Sequence, residues 1–326
     1  LREDLLGLVR QYRHAFSPKY TYEVDSRRVK LLLDNRKYEA ARDLAKEILA
    51  TEALAPEQSI DILIQWGNLE IRLGNLEKGT SIFQDAVEQS RSNHLDDWLV
   101  RALNARGWAY RNQGDFENAF SDYIEAYQLS LDLDDDWRMA WLLNNMGYVN
   151  AFRGYFQKAL DNCRAALDIW QHLEFGRGIG AVYSTLGEIY RRFDQLSESL
   201  VYYDKALDVF MDEDDIEWMS TVKCGRGAAF LSMGELEKGM DDLTWAFDHG
   251  PKNLKPRILH YQAQFYEIKQ DWEKAQELLS ESRQTSKETG DNQYNFRSFA
   301  DQIDVAWEKG NYAKWKAFKT DRKSVV

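Results

Sequence analysis

The chain has 326 residues, with 54 acidic and 42 basic side chains and a formal net charge of −12. This acidic balance argues against nucleic-acid binding as the main activity, because neutralisation of phosphates supplies most of that affinity. No apolar run reaches the roughly 18 residues that a membrane-spanning helix needs, so we expect no membrane partner. The two cysteines, Cys163 and Cys224, are expected to be free thiols in a reducing cytoplasm.

Residues 1–57 are predicted to form an N-terminal helix followed by a degenerate helix pair centred on Tyr38 and Ala41. The sequence starts at Leu1 rather than at Met and stops at Val326. We therefore interpret it as a fragment of a longer protein, and we expect the other domains of that parent chain to be partners.

Residues 58–250 are predicted to form five regular units, because two sets of positions recur every 40 residues. A fixed period of this kind indicates a solenoid of stacked, similar units. The first set is Gly67, Gly107, Gly147, Gly187 and Gly227, and the second is Gly74, Gly114, Gly154, Asp194 and Gly234.

The second of these units, residues 99–133, contains two amphipathic helical patterns. Gly107 lies in the first pattern and Ala119 in the second, and both are small enough to let two helices approach closely. Between them, Gly114 can adopt a positive φ and end the first helix, after which Asp115 can cap the second. Each unit is therefore predicted to be an antiparallel helix pair.

Residues 251–326 are predicted to contain a sixth unit, shifted by four residues, and a degenerate seventh unit that caps the array. The sixth unit carries Ala263, Tyr266, Trp272 and Ala275, and the seventh is centred on Trp307, Gly310 and Tyr312. With the N-terminal pair, the predicted fold is an all-α, right-handed superhelical solenoid of about eight helix pairs.

From about residue 22 to residue 318 this pattern resembles the tetratricopeptide repeat, in which an aromatic, a Gly, a Tyr and two small residues recur at fixed positions. Two departures are the 40-residue period in place of 34 and the missing proline at the end of the second helix. The longer form is similar to the repeats of spindle-polarity adaptors, kinesin light chains and the sensor arrays of bacterial STAND signalling ATPases. The resemblance implies recognition of proteins or peptides.

Acidic segments that end in tryptophan lie between units, at residues 95–98, 134–137 and 212–218. They are interpreted as helix caps with packing tryptophans, or alternatively as an acidic ridge for a basic partner. The glycine-rich segment 176–180 precedes a first helix and follows no strand, so it does not fit a dinucleotide site.

The sequence contains no nucleotide-binding loop, no H-E-x-x-H and no C-x-x-C, and its five histidines lack the spacing of metal ligands. We therefore expect no catalytic residue, no metal and no cofactor, and we interpret the chain as a non-enzyme.

The resemblance places ligands on the concave face, which is formed by the first helix of each unit. Transferring the family's inner positions to this sequence selects an arginine-rich and aromatic set, which predicts an acidic partner segment with hydrophobic anchors. Asp122 and Asp161 are predicted to lie on the outer face. The selected set is Asn68, Arg72, Arg101, Asn104, Trp108, Arg111, Asn112, Trp141, Asn144, Asn145, Tyr148, Phe152, Glu188, Arg191, Arg192, Arg257 and His260, with Gln264 beside them.

The predicted function is a non-catalytic scaffold that recognises a protein or peptide, as the ligand-sensing domain of a multidomain bacterial STAND-type protein. Two alternatives stay open. One is a self-standing adaptor that bridges two proteins, and the other is a peptide-responsive regulator that inhibits an enzyme.

Overall fold

The computed structural model describes residues 18–34, 37–50, 54–289 and 291–310, which form α-helices and one 3₁₀ turn and contain no β-strand. The 3₁₀ turn covers Lys252–Leu254. The helices are α1 (Pro18–Asp34), α2 (Tyr38–Leu49), α3 (Pro56–Arg72), α4 (Leu76–Ser92), α5 (Asp96–Gln113), α6 (Phe116–Asp132), α7 (Asp136–Phe152), α8 (Phe156–His172), α9 (Gly176–Arg192), α10 (Leu196–Asp212), α11 (Ile216–Ser232), α12 (Leu236–His249), α13 (Lys255–Ile268), α14 (Trp272–Thr289) and α15 (Asn292–Glu308).

The helices from α3 to α12 follow one another at a fixed interval. Their first residues, from Pro56 to Leu236, are spaced 20 residues apart, so two helices fill one 40-residue unit. A helix of 17 residues is about 25 Å long, and short connections leave the next helix antiparallel to it.

Odd-numbered helices are the first helices of their pairs, and each packs against the second helix that follows it and against the first helix of the next pair. The result is the predicted all-α, right-handed superhelical solenoid. The described residues contain seven pairs and the first helix of an eighth. The expected N-terminal helix within residues 1–17 and the position of Tyr312 lie outside the described residues.

The first set of recurring glycines marks the closest contact within each pair. A Cβ added to Gly107 would lie 2.8 Å from the ring of Tyr123, and one added to Gly147 would lie 2.6 Å from Sγ of Cys163. The facing residue always lies 16 positions further along the chain. Only glycine leaves room for it, so the partners Phe83, Tyr123, Cys163, Tyr203 and Leu243 are all buried.

The second set of recurring positions ends the first helices in a left-handed conformation. Gly74, Gly114, Gly154 and Gly234 have φ between 81° and 90°, and Asp194 has φ of 60°. The second helices α4, α6, α8 and α10 end in the same way, but with non-glycine residues that were not predicted to end helices. These residues are His94, Asp134, Glu174 and Asp214, again at intervals of 40.

The acidic segments between units act as helix caps at two of the three places. Asp135 and Asp215 accept hydrogen bonds from the backbone N–H groups of Arg138 and Trp218, at 2.9 and 3.2 Å. Asp115 likewise caps α6 by accepting from the N–H of Asn118 at 3.2 Å. The capping interpretation is therefore confirmed at these positions.

The glycine-rich segment 176–180 does not precede its helix, because it forms the first turn of α9. Gly178 lies against the indole of Trp170, where an added Cβ would be 2.4 Å from the ring. The glycine at this position therefore lets α9 pack closely against α8.

The predicted outer-face position of Asp122 is wrong. Its carboxylate is buried and receives two hydrogen bonds from Arg106, at 2.6 and 2.8 Å. The same pair recurs 120 residues later as Arg226 and Asp242. Asp161, by contrast, has a side chain that is 57% exposed.

The superhelix turns far enough for distant units to meet. Nη1 of Arg72, at the end of α3, lies 2.9 Å from Oε2 of Glu217 in α11. A Cβ added to Gly74 would lie 3.1 Å from the backbone oxygen of Glu288, and one added to Gly114 would lie 3.5 Å from Cβ of Gln293. The inner face is therefore partly enclosed.

We expect Gly147→Leu to lower the free energy of unfolding by about 1–3 kcal/mol, because the new side chain collides with Cys163 in a packed core. Neighbouring units should also exchange amide hydrogens faster, since repeat stability depends on adjacent interfaces. Thermal and urea unfolding with hydrogen exchange would measure both effects.

Gly154→Asn is the matched control. Nothing lies within 4 Å of a Cβ added there, and Asn tolerates a positive φ, so we expect a cost of about 1 kcal/mol or less. Equal destabilisation by the two substitutions would contradict the assignment of Gly147 to the helix contact.

Asp122→Leu should cost about 3–5 kcal/mol, because it leaves the buried Arg106 guanidinium without its partner. The double variant Arg106→Met/Asp122→Leu should be more stable than the single variant, and Asp161→Leu should change stability little. Urea unfolding of the wild type and the three variants would measure these differences in stability. If Asp122→Leu were as stable as the wild type, the Arg106–Asp122 pair would be unimportant for stability.

Candidate functional site

The inner faces of the first helices line a large, partly open cavity of about 650 Å³. Its lining runs from Asp61 in α3 to Tyr294 in α15, so widely separated units contribute to the same space. Thirteen of the seventeen predicted site residues line it, namely Asn68, Arg72, Arg101, Asn104, Trp108, Arg111, Asn112, Trp141, Asn144, Asn145, Tyr148, Glu188 and Arg257.

Asparagine side chains line the middle of the cavity. Nδ2 of Asn145 donates to Oδ1 of Asn104 at 3.0 Å, which links α7 to α5. Oδ1 of Asn144 and Nδ2 of Asn112 are buried without a hydrogen-bond partner within the described chain. An unpaired buried polar group costs about 1–3 kcal/mol, so these amides favour a ligand that supplies the missing partners.

Two predicted tryptophans line the wall in different ways. Trp108 is half-buried and packs against the buried cluster of Ile71, Leu76, Phe83 and Ala109. Trp141 packs edge-on against Trp170, with ring centroids 5.3 Å apart, and its indole N–H is buried without a partner. Each of these tryptophans is thus fixed by packing against the protein, and part of each ring lines the cavity.

Three further tryptophans line the cavity, and the sequence analysis assigned them to packing: Trp98, Trp137 and Trp218. Each lies in the first turn of its helix. Trp137 is 50% exposed although it touches Trp141, Trp170 and Phe175. The 40-residue recurrence of an aromatic after an acidic segment was the signal that could have identified them.

Most of the arginines on the inner wall are neutralised within the chain. Arg72 pairs with Glu217, and Arg101 pairs with Asp97 at 3.2 Å. Arg257 donates to Glu188 at 3.0 Å. Arg138 and Arg177, which the sequence analysis did not select, also line the cavity and pair with aspartates at unit junctions.

Arg111 differs from the other cavity-lining arginines of the described ranges, because no carboxylate lies within 4 Å of it. Its guanidinium lies 4.7 Å from the centre of the Tyr148 ring, and Nη1 is 3.5 Å from Oδ1 of Asn145. Its charge is therefore free to pair with an anionic ligand group.

Glu188 holds a buried polar cluster together. It is 4% exposed and accepts hydrogen bonds from Arg191, Arg257 and the hydroxyl of Tyr203, at 2.8 to 3.1 Å. Burial acts to raise the pKa of this carboxyl, but the charges of Arg191 and Arg257 outweigh burial and hold the pKa well below its usual range. Glu188 is thus ionised and joins α9, α10 and α13.

Four predicted site residues do not line the cavity: Phe152, Arg191, Arg192 and His260. The Phe152 ring lies between units, 4.6 Å from the rings of Phe116 and Tyr148, with the Arg192 guanidinium 3.7 Å from its centre.

His260 is 3% exposed, and its Nδ1 lies 3.3 Å from Oγ of Ser298. Burial, together with the charges of Arg297 and Arg191, lowers its pKa to about 3, so the ring is neutral at physiological pH. Gln264, at 3.4 Å from the His260 ring, is also outside the cavity lining.

In the part of the chain that the structure describes, no three His, Cys, Asp or Glu side chains cluster as metal ligands would. None of the described helices combines the length and apolar character needed to cross a membrane. Cys163 and Cys224 are both buried and free.

The tetratricopeptide repeat family model matches residues 58–132 and 138–212. A curated relative, human outer dynein arm-docking complex subunit 4, is 21% identical over 193 residues, which are 59% of this chain. The chain spans 28% of the length of that relative.

Among solved structures, a Rap protein complexed with competence and sporulation factor has a TM-score of 0.72 and 13% identity, with 99% of this chain and 91% of that chain covered. NprR in complex with its cognate peptide NprX has a TM-score of 0.65 and 11% identity, covering 94% and 90%. A STAND protein with a tetratricopeptide repeat sensor from Pyrococcus horikoshii has a TM-score of 0.55 and 12% identity, covering 92% and 45%. The matched segments coincide with the consecutive helix pairs α3 to α6 and α7 to α10, so residues 58–132 and 138–212 are tetratricopeptide repeats within a solenoid of the same fold.

Proposed function

We propose that the chain recognises a protein or peptide segment inside its partly open cavity and performs no catalysis. The observation that carries this proposal is the cavity lining itself, where half-buried tryptophans lie beside buried amide and indole groups without partners. Aromatic surfaces and unpaired hydrogen-bonding groups are what a peptide with side chains and a polar backbone can satisfy.

The structural neighbours support a peptide as the occupant. Two of the solved structures that match nearly the whole of this chain are complexes, one of a Rap protein with competence and sporulation factor and one of NprR with its cognate peptide. With 13% and 11% identity they establish only the shared fold. The peptide class comes to this chain as a proposal that its own cavity supports.

We further propose that the segment carries at least one carboxylate and one large apolar side chain. The carboxylate would pair with Arg111, which lacks an acidic partner, in the bidentate geometry that guanidinium groups favour. The apolar side chain would pack on Trp108 or on the tryptophans in the first turns of the helices, which bury large area at little entropic cost.

At the level of the whole protein, the sensor of a cytoplasmic, STAND-type signalling protein is the favoured role, and the similarity to a sensor array of that class supports it. An adaptor is the second candidate, since a docking-complex subunit is among the relatives. The division into residues 1–57, 58–250 and 251–326 stays part of this proposal.

Selection from a displayed library of random linear decapeptides tests the proposal with a defined probe. Synthetic copies of the enriched peptides should bind, and Trp108→Ala should weaken them by at least about 2 kcal/mol, as loss of a hot-spot aromatic does. Arg111→Glu should weaken acidic peptides most at low salt, because it reverses the free charge. Isothermal titration calorimetry would give both values.

Tyr155→Ala and Arg164→Glu are matched controls, since both side chains lie outside the cavity lining and are largely exposed. Circular dichroism would verify that all four variants remain folded. Failure to enrich any peptide, or equal losses in the control variants, would refute recognition in the cavity.

A further inference from the structure

The position of each cavity residue along its helix divides the lining into three parallel rows. First helices of adjacent units lie side by side and run in the same direction, so equivalent positions line up across units. First turns of α5 and α7 supply the aromatic edge, defined as Trp98 and Trp137. The opposite edge, at the last turns of α3 and α5, carries Arg72 and Arg111.

Between these edges runs the amide row, defined as Asn104, Asn144 and Asn145. Its groups include the linked amides of Asn104 and Asn145 and the unpaired oxygen of Asn144. Amide side chains offer both a donor and an acceptor, as a peptide backbone does. A bound backbone that follows this row crosses the first helices, from unit to unit.

The two edges are far enough apart for side chains on both sides of such a backbone. Trp98 and Arg111 lie on the same helix, 13 residues apart, which corresponds to about 20 Å along the axis. An extended chain directs successive side chains to opposite sides, and it advances about 3.3 Å per residue. Neighbouring first helices are about 8–10 Å apart, or about three residues of extended chain.

The charges of the cavity lining decide on which side of the bound backbone the ligand carboxylate lies. The cavity-lining arginines near the aromatic edge, Arg101, Arg138 and Arg177, all have aspartate partners. On the opposite edge Arg72 is paired with Glu217, whereas Arg111 has no carboxylate partner. A ligand carboxylate therefore gains most at Arg111, and an apolar side chain gains most on the half-exposed Trp137 or beside Trp98.

We propose that the cavity reads the spacing of two anchors in an extended ligand: a carboxylate and a large apolar residue at positions i and i+1 or i and i+3, in either order. A separation of one places the apolar residue opposite Arg111, at Trp98 of the same unit. A separation of three also places the apolar residue on the side opposite the carboxylate, but one unit further along, at Trp137. A separation of two places both anchors on one side of the backbone, where only one can find its partner.

This inference rests on the proposed recognition of peptides, and the decapeptide selection tests the spacing rule separately from peptide recognition itself. In the enriched pool, acidic and large apolar residues should co-occur at separations of one and three more often than at two. The same selection on Arg111→Gln should lose the acidic preference and keep the apolar one, while Arg164→Gln should behave as the wild type.

A second measurement uses one enriched peptide and a rearranged copy of identical composition, in which the acidic residue is moved by one position. We expect the rearranged peptide to bind the wild type at least tenfold more weakly and to lose this difference on Arg111→Gln. Equal binding of the two peptides to the wild type would overturn the spacing rule while peptide recognition stands. A selection that enriches no sequence would overturn both.

Discussion

The contact between a glycine on the first helix and a large side chain 16 residues later is the interaction on which the rest of the structure depends. At Gly107 an added Cβ would lie 2.8 Å from the ring of Tyr123, and the same collision recurs in each regular unit. Because the helices of a pair approach closely at this point, the contact constrains their relative position. Repetition at 40 residues then gives every unit nearly the same geometry, which is the condition for a superhelix.

The superhelix determines what the chain can bind. Units separated by more than 140 residues meet through Arg72 and Glu217, so the concave face becomes a partly open cavity. Around Glu188 the protein supplies its own hydrogen bonds, because two arginines and a tyrosine hydroxyl donate to the carboxylate. Other lining groups stay available to a ligand: Arg111 lacks a carboxylate partner, and Nδ2 of Asn112 and Oδ1 of Asn144 are buried without a hydrogen bond within the described chain. This division separates residues that hold the array together from residues that a ligand can use.

Local features of the fold were predictable from the sequence because they depend on neighbours within one unit. The glycine sets, the cap at Asp115 and the four-residue shift of the sixth unit all follow from spacing. The structure places the origin of that shift mainly in α12, which has 14 residues where the second helices α4, α6, α8 and α10 have 17. The left-handed end at Glu174 was missed because glutamate does not favour a positive φ. Asp122 was misplaced because its partner, Arg106, lies on the other helix of the pair.

The arginine-rich wall shows that the repeat period of the sequence does not reveal which carboxylates pair with the arginines. Position in the repeat correctly placed Arg72 and Arg257 at the cavity, but their carboxylate partners are 145 and 69 residues away in the chain. Such pairing depends on the superhelical turn, which changes with small differences between units. The aromatic edge was overlooked for a related reason, since the first-turn tryptophans also pack between units.

Hydrogen–deuterium exchange with and without the tightest peptide from the decapeptide selection tests the central claim most directly. If the cavity is the binding site, protection should appear in α5 and α7 and around residues 289–294, with little change on the second helices. Protection confined to α6 and α8, on the convex surface, would contradict the account and place recognition outside the cavity.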